Sequence, residues 1–195
     1  MGLFWNKPKD YLRDRGDVRE FNPSETPDIQ VIDIGKNRIK HLDLSQNLQL
    51  ETLLINDNFL EELDISSNKK LRRLDCSGNY LHTLDTSSVV SLEILDASRM
   101  DTLHEIKAAA PGSAGTGIIS ITGMYGGFVG LKFGHKHDKE GNEIEEMLQN
   151  YYAYEPRGLM FSGWYDENDK LVSKESILRG TYGESRILKA LFMAL

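Results

Sequence analysis

Residue types that can bind a metal or carry out nucleophilic catalysis occur together at two places in this sequence of 195 residues. One is the segment HKHDKEGNEIEEMLQN, in which His135 and His137 form an H-x-H pair near Asp138, Glu140 and Glu143. Imidazole and carboxylate groups can hold a metal, and a bound metal would suit a hydrolase. The segment is rich in Lys and Glu and offers no fixed third ligand. We therefore predict a solvated loop there and no metal site.

The other place contains Cys76, His82 and Asp85, which have the types of a thiol nucleophile, its base and an orienting carboxylate. Cys76 is the single cysteine of the chain, so no intrachain disulfide can form. It takes an apolar position of the repeat described below, in line with Ile34 and Ile55. We therefore predict a buried, inert thiol, with His82 on an exposed turn.

The remaining chemical signals also favour structural roles. Trp164 and Tyr165 could stack on a sugar ring, but aromatic residues of a small β domain usually belong to the core. The stretch GMYGGFVG lies between two predicted strands and does not open a helix, so it lacks the geometry of a phosphate-binding loop. We predict that the protein is not an enzyme and has no catalytic residue, cofactor or metal.

A repeat with a period of 21 residues organises the first half of the chain. The segments at 50–64 (LETLLINDNFLEELD) and 71–85 (LRRLDCSGNYLHTLD) place Leu, Leu, Asn, Leu, Leu and Asp at identical offsets. Copies of the unit LxxLxLxxNxLxxLDLSxNxx begin at four positions: Ile29, Leu50, Leu71 and Leu92. The fourth copy has Met100 where Asn should stand, so we expect the array to end near residue 100.

Self-similarity at so short a period is typical of a solenoid, in which each coil buries its apolar face on its neighbours. The fixed apolar residues then form ladders inside the stack, and alternate strand residues point outward. The Asn at position nine is predicted to turn the chain, with its amide bonded to backbone groups of the bend. Its loss at Met100 should cap the stack.

The outward strand positions predict a concave face that binds another protein. Asp75 and Asp96 fall on adjacent strands about 4.8 Å apart, so they should repel unless Arg73, Arg99 or solvent screens them. A partner that brings a Lys or Arg would relieve this repulsion.

Phe59 and Tyr80, at position ten of successive coils, form an apolar aromatic edge, and aromatic groups beside charges are common in binding hot spots. The alternative is that small solvated residues simply cover a short solenoid. The candidate protein-binding residues are Asp33, Leu54, Asp75, Asp96, Arg73, Phe59 and Tyr80.

A second column of carboxylates, Asp43, Asp64 and Asp85, belongs to the predicted convex side. Stacked carboxylates could collect a cation such as calcium. We expect them instead to be solvated and to accept hydrogen bonds from neighbouring Ser hydroxyls or turn amides.

The repeat at about residues 29–98 resembles the bacterial leucine-rich repeats of the 21-residue type found in internalins and related surface proteins. The resemblance implies a second strand-like segment on the convex side, here LDLS and LDIS. It also implies a non-enzymatic protein-binding or adhesion module of a bacterial surface or secreted protein.

From Gly117 onward the sequence predicts a small all-β domain. Strands are expected at GIISITG, GGFVGLKFG, YYAYEP, LMFSGWYDENDKLVS and RILKALF, with DENDK as a hairpin connection. The Gly-Gly pair at 126–127, the core FSGWYDE and the closing residues Leu188, Ala190 and Phe192 resemble a divergent internalin-type B repeat, a small β-grasp-like module. That resemblance covers about residues 117–192 and implies an adhesive or spacer module.

The predicted fold class is mainly β: a short leucine-rich-repeat solenoid of about 3.5 coils, followed by a small all-β or β-grasp-like domain. Helix-favouring residues at 9–20 should form a short amphipathic cap, and DTLHEIKAAA should form a brief helix that PGSAGTG stops. The predicted segments are an N-terminal cap (1–28), the solenoid with its C-terminal cap (29–110), a linker (111–117) and the B-repeat-like domain (118–195).

The formal charge of −7 gives no electrostatic reason to expect nucleic acid or an anionic membrane as partner. No stretch is long and apolar enough to span a bilayer, and MGLFWNKPKDYLRDRGD lacks the apolar run of a secretory signal. The resemblance implies an extracellular or cell-surface location, whereas the missing signal leaves a cytoplasmic one open. The alternative function is an intracellular structural or scaffold protein without a dedicated ligand face.

Overall fold

The computed structural model describes residues 11–13, 16–113, 116–137 and 143–195, with side chains described outside 11–13 and 135–148. Within these ranges the regular elements are strands and two short 3-10 turns, Pro23–Glu25 and Met124–Gly126. The strands, in chain order, are β1 (Tyr11–Arg13), β2 (Val31–Asp33), β3 (Thr52–Leu54), β4 (Arg73–Asp75), β5 (Thr83–Thr86), β6 (Ile94–Ala97), β7 (Glu105–Ala109), β8 (Ile118–Gly123), β9 (Phe128–His137), β10 (Glu143–Tyr154), β11 (Leu159–Tyr165), β12 (Leu171–Ser173), β13 (Ile177–Gly180) and β14 (Arg186–Ala194).

An eight-stranded sheet in the order β1-β2-β3-β4-β6-β9-β10-β13 contains the first strand of each repeat copy, namely β2, β3, β4 and β6. From β1 to β6 each strand runs parallel to its neighbour. Leu53 is the register partner of Leu74, and Leu74 of Leu95, so each coil advances by one period of the sequence. Beyond β6 the sheet continues antiparallel through β9, β10 and β13. Coils of the solenoid and strands of the C-terminal half therefore share one sheet.

A six-stranded sheet in the order β12-β11-β14-β8-β7-β5 forms the other layer. It begins in the solenoid, where β5 pairs parallel with β7, and extends into the C-terminal half through antiparallel β8. β8 then pairs parallel with β14, which carries the antiparallel strands β11 and β12.

The core is a single buried apolar cluster between the two sheets, running from Ile29 to Phe192. Leu53, Leu74 and Leu95 are fully buried, and so is Cys76. Strand side chains alternate between the two faces of a sheet, so the residues that alternate with these buried residues along each strand point outward. The predicted solenoid, with about four stacked coils, and the mainly β fold class are confirmed.

Buried asparagines tie each coil to the one before it. Asn58 Nδ2 donates to the carbonyl oxygens of Ile34 (2.9 Å) and Ile55 (3.0 Å), and its Oδ1 accepts from the N–H of Ile39 (3.0 Å). Asn79 repeats this pattern one coil later. The N–H of Ile39 lies at a buried bend and has no other acceptor in the described structure, whereas the carbonyl oxygens of Ile34 and Ile55 also accept from Asn37 and Asn79. The predicted role of the position-nine asparagine is thus confirmed.

The stack of parallel strands ends at β6. Met100, which replaces the asparagine, is buried, and the chain pairs β6 with antiparallel β9 instead of with a fifth parallel coil. The sequence prediction that the array ends near residue 100 agrees with this change of strand direction.

Two predicted helical segments contain strands instead. Residues 105–109, within DTLHEIKAAA, form β7, in which buried Ile106 and Ala108 alternate with exposed Glu105 and Lys107. Ladders from β5 and β8 on both sides outweigh the helix propensity of the alanine run. In the predicted N-terminal cap, β1 is extended and pairs with the first repeat strand. Residues 1–10 and 14–15 of that cap lie outside the described part.

The second strand-like segment of each coil is only partly present. The LDLS and LDIS segments have no regular secondary structure before the turns that begin at Ser45 and Ser66. The third copy forms β5, because there a parallel neighbour, β7, supplies ladder hydrogen bonds. The predicted hairpin at DENDK is present between β11 and β12, with Asp166 Oδ1 accepting from the N–H groups of Asn168 and Lys170.

Pro111–Ser113, at the start of the predicted linker, turn the chain between antiparallel neighbours β7 and β8. How many independent folding units the chain has stays a prediction, and so does the B-repeat identity of residues 118–195. Among the described residues, no helix has the length and apolar character to cross a membrane.

Candidate functional site

The outward side of the eight-stranded sheet, called the outer face below, carries the side chains that the repeat displays. In the eight-stranded sheet, register pairing places one residue each of β3, β4, β6, β9, β10 and β13 side by side. This cross-strand row consists of Leu54, Asp75, Asp96, Lys132, Asn150 and Arg179. Neighbours in such a row have Cβ atoms about 5 Å apart, so their side chains interact directly.

Asp96, at the end of the solenoid, forms an ion pair with a residue of the C-terminal half. Lys132 Nζ lies 2.6 Å from Asp96 Oδ2, and Asp96 Oδ1 accepts from the N–H and hydroxyl of Ser98. Partial burial acts to lower the pKa of Lys132, but its hydrogen bond and charge interaction with Asp96 raise that pKa above its usual value. Both halves of the molecule therefore build this part of the outer face.

Asp75 has half of the same arrangement. Its Oδ1 accepts from the N–H (3.1 Å) and hydroxyl (2.6 Å) of Ser77, as Asp96 does with Ser98. Within the described residues no side chain donates to Asp75 Oδ2. Burial, and after it the charge of Asp96, raises the pKa of Asp75, although the Ser77 hydrogen bonds oppose the shift. Asp75 is thus a half-buried carboxylate whose negative charge is only partly compensated.

Arg99, the other predicted screening group, is committed elsewhere. Its guanidinium pairs with Asp57 Oδ1 at 2.9 Å and donates to Ser77 Oγ at 2.8 Å. Burial acts to raise the pKa of Asp57, but hydrogen bonds from Arg99 and Asn56 lower it below the usual value. Arg99 therefore supports the Asp75 site through Ser77 without contacting the carboxylate itself.

Two tyrosines extend the outer face beyond the ion pair. The rings of Tyr152 and Tyr154 lie nearly parallel, 6.2 Å apart at an angle of 5°. A Cβ placed on Gly130 would meet the Tyr154 ring at 3.1 Å, so the glycine makes room for this aromatic side chain. Tyr154 Oη accepts from the N–H of Arg99 at 3.0 Å. This contact is a second junction between the C-terminal half and the last coil.

The structure separates the candidate residues into three groups. Leu54, Asp75 and Asp96 lie together in the cross-strand row, and Arg73 is exposed on the same face. Asp33 does not belong to the displayed surface. It is only 4% exposed, although it is the register partner of Leu54. The predicted display of Asp33 is therefore wrong, whereas its contact with a partner stays a prediction.

The third group, Phe59 and Tyr80, lies on the turns that follow β3 and β4, beyond the buried asparagines. The two rings stack on each other, 5.9 Å apart at 21°, and are 39% and 43% exposed. They form an aromatic ridge along the edge of the stack and are not part of the cross-strand row. Whether any candidate residue contacts another protein stays a prediction.

The sequence interpretation missed the contributors from the C-terminal half. Lys132, Tyr152 and Tyr154 lie in segments that were predicted as strands, and Ile177 lies in a strand that was not predicted. Alternation along GLKFG and YYAY indicates which residues share a face. It cannot indicate that β9 pairs with β6, because that pairing joins segments 36 residues apart without a common pattern.

The thiol nucleophile and the sugar-stacking tryptophan raised by the sequence gain no support. Cys76 is completely buried, and desolvation raises the pKa of its thiol well above the ordinary value, which disfavours the reactive thiolate. Trp164 is also buried, and its Nε1 donates to the carbonyl of Glu175, as expected for a core residue. Among the described residues no group of three or more His, Cys, Asp or Glu side chains could hold a metal ion.

The histidine segment lies outside what the structure describes: Asp138 and Glu140 are not described, nor are the side chains of His135, His137 and Glu143. The absence of a metal site there therefore stays a prediction.

The second column of carboxylates behaves as predicted. Asp43, Asp64 and Asp85 are exposed, and each accepts a hydrogen bond from the backbone N–H two residues later. Hydrogen bonds from Ser45 lower the pKa of Asp43, and those from Ser66 lower the pKa of Asp64. These aspartates stabilise turns.

The chain is similar to solved structures, one of which is an internalin. No family model matches the chain, and no curated protein matches it. The structure of the functional domain of InlJ from Listeria monocytogenes, described as including a cysteine ladder, aligns with 28% sequence identity and a TM-score of 0.48. The alignment covers 49% of this chain and 22% of that chain. The aligned half of this chain thus corresponds to about a fifth of the InlJ structure.

Proposed function

We propose that the protein is a non-enzymatic, internalin-like repeat module that binds another protein through its outer face. The observation that carries this proposal is the continuity of that face across both halves of the chain. Leu54, Asp75 and Asp96 of the solenoid adjoin Lys132 of β9, and Tyr152 and Tyr154 follow on β10.

The composition of the outer face suits a protein partner. Specific interfaces use aromatic and aliphatic anchors together with a few charges, and each partner contributes about 800 Å². Four coils alone come near this limit, and the added strands of the C-terminal half enlarge the surface. The stacked tyrosines lie beside the Asp96–Lys132 ion pair, which gives the face both kinds of group.

Two isoleucines provide a matched test of which face binds. Ile177 is 51% exposed on the outer face, where it pairs with Tyr152. Ile187 is 48% exposed on the outward side of the six-stranded sheet, next to buried Leu188. Each position is replaced in turn by a photoreactive amino acid, and the protein is irradiated in bacterial cell-wall extract and in host-cell extract.

The expected result is a discrete cross-linked protein from position 177, absent from position 187 and competed away by unlabelled protein. Equal capture at both positions, or specific capture at 187 alone, would contradict the proposal. A cell-surface or secreted location is part of the proposal and rests on the sequence resemblance. Protease treatment of intact source cells tests it, since a surface protein is digested and an intracellular scaffold is protected.

A further inference from the structure

The ion pair at Asp96 shows how a cation is held on the outer face. Lys132 Nζ reaches Oδ2 of Asp96, whose Oδ1 is held by Ser98. Asp75 occupies the register-equivalent position one coil earlier, with Oδ1 held in the same way by Ser77. Its Oδ2 has the geometry of the Asp96 site without the cation.

The described residues around Asp75 do not supply that cation. Arg99 is engaged by Asp57 and Ser77, and Lys132 bonds Asp96. Arg73, two residues earlier on the same face, forms no ion pair with Asp75 in the described part of the chain. Lys132 pairs directly with Asp96 alone, so the negative charge of Asp75 is only partly compensated.

On the side away from Asp96, the neighbour of Asp75 in the cross-strand row is apolar. Leu54 is its register partner on β3 and is half-buried on the outer face. A carboxylate beside an aliphatic side chain suits a lysine or arginine, because the methylene stem can pack on the leucine while the charged end reaches the oxygen.

We infer that the partner of the outer face presents a basic segment, in which a Lys or Arg side chain binds Asp75 Oδ2 and a neighbouring apolar side chain packs on Leu54. This inference rests on the proposed function and specifies the chemistry of the partner. The added cation takes at Asp75 the place that Lys132 takes at Asp96. Charge complementarity of this kind contributes mainly to specificity and to the association rate.

Short peptides of defined charge test the inference directly. The probe is acetyl-Leu-Lys-Leu-amide, and its neutral counterpart is acetyl-Leu-Gln-Leu-amide. Binding is followed by NMR from the methyl shifts of Leu54 during titration at low ionic strength. We expect the lysine peptide to bind about five-fold more tightly than the glutamine peptide, as one partly exposed ion pair allows. Added salt should reduce the difference.

Three variants locate the effect. Asp75→Asn keeps the acceptor for Ser77 but removes the charge, and it should abolish the preference for lysine. Asp85→Asn is the matched control, because Asp85 makes the same bonds to the N–H and hydroxyl of Ser87 but lies in the six-stranded sheet. It should bind both peptides like the wild type. Lys132→Gln frees Asp96 and should strengthen binding of the lysine peptide about two-fold or more.

The results separate this inference from the proposed function. Loss of the preference for lysine in Asp75→Asn, with Asp85→Asn unchanged, supports the inference. Failure of position 177 to capture a protein would count against the proposed function and would leave that peptide result standing. A protein captured at position 177 as efficiently by Asp75→Asn as by the wild type overturns the inference and leaves the binding face standing. Equal affinity of the wild type for the two peptides overturns the inference as well.

Discussion

Between Val31 and Ala97 every strand of the eight-stranded sheet runs parallel to its neighbour, whereas from Phe128 onward every strand runs antiparallel. In the first region one set of interactions recurs in each coil, such as the leucine ladder and the asparagine bridges. In the second region the contacts occur once each. Stacking alone leaves the last coil with an open apolar end, and antiparallel β9 covers that end.

Buried amides illustrate the difference. Asn58 and Asn79 serve the same bend in successive coils, so their identities follow from the period. Gln149 in the C-terminal half is equally buried, but its amide bonds Tyr151 Oη, the carbonyl of Glu184 and the N–H of Gly183, and no other residue repeats that set. Repetition makes a structural role visible in the sequence, whereas a unique contact needs coordinates.

The largest effect on stability is expected from replacing a buried leucine in either region. Leu74→Ala in the solenoid and Leu188→Ala in β14 should each cost about 3 kcal/mol of unfolding free energy, because both leave cavities in the shared core. Urea unfolding is followed by circular dichroism and by tryptophan fluorescence. One folding unit predicts a single transition that either variant shifts in both signals.

Two transitions, of which each variant shifts only one, would break this account of a shared core. They would instead favour two separate domains, divided near residues 111–117 as the sequence analysis predicts.

The next effect concerns the repeated bridge. Asn58→Ala removes the acceptor of the Ile39 N–H at a buried bend. It also removes one of two amide donors from the carbonyl oxygens of Ile34 and Ile55, which keep Asn37 and Asn79. We expect a loss of about 2–3 kcal/mol in unfolding free energy, measured by urea denaturation. Asn56→Ala is the control, since Asn56 is half-buried and its Nδ2 donates to Asp57 Oδ2, so it should cost less than about 1 kcal/mol. Similar losses in both variants would argue against the bridging role.

A third variant should stabilise the solenoid. Thr86 occupies the inward position that Leu44 and Ile65 hold in earlier coils, and its buried Oγ1 has no hydrogen-bond partner in the described structure. Thr86→Val replaces the hydroxyl by a methyl of similar volume, so unfolding free energy should rise by about 1 kcal/mol. Thermal unfolding measures the change. A lower melting temperature than the wild type would show that the hydroxyl is satisfied after all.

The smallest effect is the pH dependence of Asp75→Asn. Burial and Asp96 raise the folded-state pKa of Asp75 above 3.8, so ionised Asp75 destabilises the fold. Stability associated with this group is present below pH 3.8 and is lost as pH rises through the folded-state pKa. Asp75→Asn should therefore gain about 0.5 kcal/mol at neutral pH and nothing in acid. Urea midpoints across this pH range measure the difference. A variant less stable than the wild type at neutral pH would contradict the conclusion that ionised Asp75 destabilises the fold.

The sequence predicted the solenoid well because its period repeats the same physical requirement. The alignment of Leu53, Leu74 and Leu95 could be predicted without coordinates, and so could the burial of Cys76. The strand at residues 105–109 was predicted wrongly, since local helix propensity cannot show that β5 and β8 lie on either side of it. The burial of Asp33 was also missed, because its position in the repeat is the one at which Leu54 and Asp75 are half-buried.

The candidate site was only half predictable. Its acidic members follow from the repeat, and their repulsion implied a missing cation. That Lys132 supplies the cation at Asp96 depends on the register of β9 against β6, which no sequence pattern specifies.

The register of β6 against β9 is also the most direct test of the account, because it makes the outer face continuous. NMR measurement of backbone NOEs between the two strands should give contacts for the pairs Leu95–Phe133, Asp96–Lys132 and Ala97–Leu131. A register shifted by one residue would turn Lys132 toward the core and separate it from Asp96. That result, or the absence of NOEs between these strands, would contradict a binding face built by both halves of the molecule.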